Sequence, residues 1–122
     1  MNKEFIPEEQ ALDLKELGFD EPCMAQWNDS NGFDGFGGNY RNSYFTYPDQ
    51  VAAPLYQQAF RWFREKYNLH STIHLNSKGY FATITKKVNN LTPCIFSSEI
   101  FNAPEEAELE CLKKLIEIVK EK

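Results

Sequence analysis

From residue 54 onward the apolar pattern changes character twice, and this double change limits the possible folds more than any other feature. Residues 54–67, PLYQQAFRWFREKY, place Leu55, Tyr56, Ala59, Phe60, Trp62, Phe63 and Tyr67 in one broad arc at 100° per residue. Gln57, Arg61, Arg64 and Glu65 lie opposite, which predicts an amphipathic helix with Trp62 at the edge of its arc. Three short runs follow, LHSTIHL, YFATIT and CIFSSEIF, each rich in β-branched or aromatic residues. The turn signals NSKG (76–79) and NNLTP (89–93) separate them, so they predict a three-stranded antiparallel meander. Helical spacing then returns: Ala107, Cys111, Leu112, Leu115, Ile118 and Val119 share a face, with Asn102 as N-cap and Glu105 completing a capping box. Residues 54–122 read as an αβββα unit.

The first half is written differently. Pro7 suits a first helical position, and Ala11, Leu14 and Leu17 make an apolar stripe. Gly18 can take the left-handed conformation, so that Phe19 packs on Leu14 in a Schellman ending. Residues 28–47, NDSNGFDGFGGNYRNSYFTY, hold glycine, asparagine and rings with almost no aliphatic residue. The expected arrangement is a hairpin in which CMAQW (23–27) pairs with SYFTY (43–47) across a glycine-rich tip. At 122 residues the chain fits a single α+β domain, with the helix and aromatic hairpin of 1–53 ahead of the αβββα unit.

Charge is segregated along this layout. Residues 1–53 carry ten acids against Lys3, Lys15 and Arg41, whereas 54–98 carry six basic residues against Glu65 alone. A total of -5 opposes a protein that coats nucleic acid or anionic membrane over its whole surface, yet a basic patch in 54–98 survives inside it. Three widely spaced cysteines, Cys23, Cys94 and Cys111, encode neither a disulfide framework nor a zinc site and point to reduced thiols. The acidic start MNKEFIPEEQ lacks a signal-peptide core, and no run of about 18 apolar residues occurs, so a cytoplasmic location is expected.

Several motifs invite chemistry and fail its spacing. GFDGFGG lacks the lysine and the following helix of a phosphate loop. DSNGFDG is no calcium loop, because Phe33 falls at a ligand position and the terminal glutamate is missing. The bland reading of this stretch is a mobile hairpin tip; the functional one makes Phe33, Phe36 and Tyr40 contacts to a partner protein. His70 and His74 lie in a strand, where four residues span roughly 13 Å, too far to share a metal ion. Glu108 falls in the apolar arc of the last helix, read as an overhang beyond the core.

Arg61, Trp62 and Arg64 form the most informative cluster. Its ordinary reading is a solvated helix face with an Arg61–Glu65 pair; the alternative is two guanidinium groups gripping an anion. For a small anionic, nucleotide-like ligand, Arg61, Arg64 and Lys78 would bind charge while Trp62 and Tyr44 stack, with Lys86 and Lys87 extending the positive surface. No catalytic residues, cofactor or metal set can be assembled from spacing, so an enzyme is the least expected reading.

The helix–meander–helix order of 54–122 resembles the double-stranded-RNA-binding domain. That family grips phosphates with lysines at the start of its second helix, where this chain has Glu105, Glu106 and Glu108, a first turn that repels phosphate. The phrases LKELGFDEPC, QAFRWFREKYNLH and PEEAELECLKKLIEIVK resemble a family of small proteins encoded by bacteriophages and prophages. That resemblance carries no catalytic residues and implies an intracellular viral accessory protein. The expected function is therefore non-catalytic: sequestering a small anionic ligand or docking on a host protein. A nucleic-acid-binding module using 54–98 is the alternative, and homodimerisation is an expected property of so aromatic a small domain.

Overall fold

The computed structural model describes residues 4–28, 32–34, 38–45 and 50–121, and of Asn28, Asp34 and Tyr44 the backbone only. The chain is α+β, with three α-helices and two three-stranded antiparallel sheets among these residues. The chain divides into two compact units, residues 1–56 and 57–122.

In the first unit, α1 spans Glu8–Glu16 and has Pro7 at its N-cap. Gly18 takes φ 96, the Phe19 N–H donates to Leu14 O (2.9 Å), and the Gly18 N–H donates to Lys15 O (3.1 Å). These are the two bonds of a Schellman ending. Ala11 and Leu14 are buried as expected, but Gln10 rather than Leu17 completes the covered face. The helix packs against β3 (Val51–Ala53). β1 (Ala25–Asn28) lies between β2 (Gly32–Asp34) and β3, with Trp27 opposite Phe33 on one side and Val51 on the other.

The expected pairing of 23–27 with 43–47 does not form. Residues Asn42–Tyr44 make one 3-10 turn, residues 46 and 47 lie outside the described residues, and β3 takes the place beside β1. Polar side chains bind backbone groups of distant segments here instead of leaving them to a ladder. The buried Asn42 amide donates through Nδ2 to Phe19 O (2.8 Å) and accepts the Ala52 N–H at Oδ1 (2.9 Å). The Ser43 N–H donates to Asp20 Oδ1 at 2.8 Å. The 3-10 turn is thereby held as a clamp between the end of α1 and β3, and it has no ladder to offer.

The glycine-rich stretch is also more than a tip. Phe33 sits in β2, half-buried, with its ring 5.2 Å from Phe5 and 4.9 Å from Trp27. Together with Ala25, Ala53 and Leu55 these rings form a small core, and the Trp27 indole N–H donates to Ile6 O (2.8 Å).

In the second unit α2 (Tyr56–Tyr67) leads into β4 (Leu69–Asn76), β5 (Gly79–Lys86), β6 (Cys94–Ser97) and α3 (Pro104–Lys120), and the strand order β4-β5-β6 is a meander. α3 packs on β5 and β4, where Leu69, Ala82 and Ile84 are buried. β6 is four residues rather than eight, and Phe101 instead joins Tyr80 in a separate two-bond bridge. Asn102 does not cap α3. Pro104 takes the first helical turn, where its missing N–H is harmless, and this moves the N-cap to Ala103. Ile116 is buried in place of Ile118; the two flank the apolar stripe from opposite edges, and packing covers the Ile116 side.

Cys23 and Cys111 are buried and Cys94 is exposed. Burial pushes the Cys111 thiol up to about 12. The native protein should therefore show one fast-reacting thiol in a disulfide-exchange assay, and three after unfolding in denaturant. A native count of three would mean that the two buried sites open freely.

Candidate functional site

A concentration of positive charge lies where α2 ends. Ala59, Trp62 and Phe63 bury the inner face of α2, which leaves Arg61, Arg64 and Lys66 on exposed positions. Cations in a last helical turn are favoured by the partial negative charge of the helix end. The chain leaves the helix through Asn68, a left-handed residue at φ 59. The Asn68 amide works in two directions: Nδ2 donates to Lys87 O at 2.7 Å, and Oδ1 accepts from His70 Nε2 at 3.0 Å in the tautomer that carries its hydrogen there. The next residue, Leu69, stands opposite Lys86 in the β4–β5 ladder. Arg64, Lys66, Lys86 and Lys87 thus gather at one end of the second unit. None of the four makes an ion pair among the described residues. The Lys66 ammonium lies 5.0 Å from the centre of the Trp62 ring and 5.6 Å from that of Tyr67, a cation–π contact that holds it beside the helix end.

Of the residues expected at an anion site, Arg64 stands in this cluster, and Arg61 lies one turn further back on the same exposed side. Trp62 is 7% exposed, with Lys66 over its ring and Phe63 and Tyr67 edge-on at 77°. Its ring is occupied within the helix and offers no free face for stacking. Lys78 is exposed in the turn joining β4 and β5, at the opposite end of an eight-residue ladder from Asn68. Seven steps of ~3.3 Å separate the two ends by roughly 23 Å, so Lys78 does not join the Asn68 cluster.

Tyr44 belongs to the first unit, and its side chain lies outside the described residues. Phe36 lies outside them altogether. Phe33 is the core ring described above, and Tyr40 is half-buried and bridged to Cys23 by two backbone bonds of 2.8 Å. Lys66 and Asn68 were not singled out by the sequence. Their signals were the i, i+4 spacing from Trp62 to Lys66 and an asparagine directly after a helix.

The rest of the second unit has a different character. His74 stacks on Phe81 (4.7 Å, 16°), and its Nε2 lies 2.9 Å from Thr83 Oγ1, so the two histidines have separate partners. A cleft of about 300 Å3 lined by Phe96, Ser97, Ser98, Glu99, Phe101 and Glu110 carries carboxylates and would repel an anion. Glu108 is half-buried, and burial first, then the charge of Glu105, holds its carboxyl above the ordinary range. Among the described residues no group of three or more His, Cys, Asp or Glu side chains is placed to hold a metal ion, and no helix is long and apolar enough to cross a membrane. Comparison of the chain with protein-family models, curated proteins and solved structures returns no match.

Proposed function

We propose that the chain is a non-catalytic binding protein that captures a small phosphate-bearing, nucleotide-like anion at the basic end of its second unit. The observation that carries this reading is the Asn68–Lys87 bond, which draws Lys86 at the end of β5 and Lys87 just beyond it to the cationic last turn of α2. Four cations without carboxylate partners raise the local potential above what their own charge gives when paired. The likeness to bacteriophage proteins supports an accessory role in the host cytoplasm.

A second reading has its own support. Arg64, Lys66 and Lys87 are exposed and Lys86 half-buried, and none lines the acidic cleft, a placement that also suits the phosphate backbone of a nucleic acid.

Binding of a fluorescent adenosine triphosphate and of a short labelled RNA duplex, each titrated across salt concentrations, separates the two readings. A nucleotide held by few charges gives a shallow salt dependence, and a nucleic acid a steep one. Asn68→Gly keeps the left-handed backbone but removes both side-chain bonds, so it should weaken the probe that binds by about tenfold without altering net charge. If Asn68→Gly binds like the wild type, the gathered cations are an ordinary solvated surface.

A further inference from the structure

We propose that His70 gives the anion site a pH control: it takes up a proton at Nδ1 and thereby strengthens capture of the phosphate-bearing ligand as pH falls through neutrality. The inference rests on the anion-binding reading and adds a titratable cation to the four already gathered there. Its basis is a chain of two side-chain bonds, from Asn68 Nδ2 to Lys87 O (2.7 Å) and from His70 Nε2 to Asn68 Oδ1 (3.0 Å).

The first bond fixes the chemistry of the second. A backbone carbonyl only accepts, so the nitrogen end of the Asn68 amide must face Lys87 and its oxygen end must face His70. An amide oxygen also only accepts, so Nε2 of His70 carries a hydrogen in every protonation state that keeps this bond. Gain and loss of a proton are left to Nδ1, which has no bonded partner among the described residues. Charging therefore needs no rearrangement: the same Nε2–H donates to the same oxygen in the neutral ring and in the cation. Histidine is the side chain that ordinarily changes charge between about pH 5 and 8.

The neighbours of His70 are mostly neutral or cationic. Thr85 stands opposite it on β5, with the Cys94 thiol of β6 beyond, and Thr72 and His74 follow on its own strand face. Asn68 ties it to Lys87, and the end of α2 supplies Arg64 and Lys66, with Glu65 as the one acid of that helix. The glutamates of α3 belong to the other face of the sheet, where Ser71 approaches Cys111. A phosphate bound among these cations attracts an imidazolium, so ligand and proton favour each other's binding, and the coupling is reciprocal.

The probe for this test is a fluorescent dinucleoside pyrophosphate, because a terminal phosphate would itself change charge near about pH 6, whereas the bridging diester does not. The wild type should bind it about threefold more tightly at pH 6 than at pH 8, a factor that suits one added charge at a screened face. His70→Gln, which can donate to Asn68 but cannot ionise, should lose this ratio with an unchanged circular dichroism spectrum, and His74→Gln should keep it. Calorimetry of the wild type gives a readout free of mutation: binding at pH 7 should take up protons, seen as a reaction heat that varies with the ionisation heat of the buffer. No binding at either pH overturns both this inference and the anion-binding reading. Equal affinity at the two pH values, a ratio that survives in His70→Gln, or capture without proton uptake overturns the role of His70 alone.

Discussion

Asn42→Ala should lower the unfolding free energy by about 2–5 kcal/mol, because it strands two buried backbone groups at once. The Phe19 carbonyl loses its donor and the Ala52 N–H loses its acceptor, each part of a buried bond of 2.8 or 2.9 Å. Leaving a buried polar group unsatisfied costs ~1–3 kcal/mol, and the methyl side chain of alanine reaches neither partner. Against a total stability of roughly 5–15 kcal/mol this is a severe loss, visible as a lower urea midpoint. Ser43→Ala is the matched control: it keeps the backbone N–H bond to Asp20 and removes only the exposed hydroxyl's contact with the same carboxylate, so its effect should stay within about 1 kcal/mol. An Asn42→Ala midpoint equal to that of the wild type would show that the clamp is not structural.

The Asp20 contact adds a pH dependence of known sign. The Ser43 N–H holds this carboxyl below its ordinary range, with smaller contributions from the Ser43 hydroxyl and then Arg41. A depressed acid stabilises the fold above its unfolded pKa, and the contribution is lost as pH falls through the folded value.

Arg64→Glu combined with Lys87→Glu should weaken capture of the phosphate-bearing probe by at least about tenfold while the circular dichroism spectrum stays unchanged. Both side chains are exposed, and the tether that gathers the cluster uses the Lys87 backbone carbonyl, which the substitution keeps. A charge-assisted hydrogen bond contributes ~1.5–3 kcal/mol, and solvent screening at an exposed face reduces that figure, so two reversals support a tenfold loss as the lower bound. Lys78→Glu, at the far end of the ladder, should change binding far less. Equal losses from Lys78→Glu and the double variant would mean that net charge, rather than the Asn68 cluster, attracts the probe.

The contrast between the two halves shows where sequence patterns stop being informative. The α2, β4, β5 and α3 segments were legible because each is long enough for its apolar period to repeat, and burial follows that period directly. β3 has three residues, all buried, too few to show any alternation. Asn42 was unreadable for a related reason: its partners lie 23 and 10 residues away, and nothing in the local spelling distinguishes a buried amide from an exposed one. Phe33 looked like part of a loop because glycines surround it, yet pairing with β1 carries it against Trp27 and Phe5.

By itself, then, the sequence determined the α+β class, the order of helix, meander and helix after residue 54, the Schellman ending at Gly18 and the segregation of charge, all of which follow from short-range periodicity and local backbone preference. Only the tertiary structure decided which strand lies beside β1, that Lys66 covers the Trp62 ring, and that Lys86 and Lys87 rather than Lys78 stand at the end of α2 with Arg64. Each of these depends on one distant backbone group meeting one side chain, and a single chain of letters carries no record of such meetings.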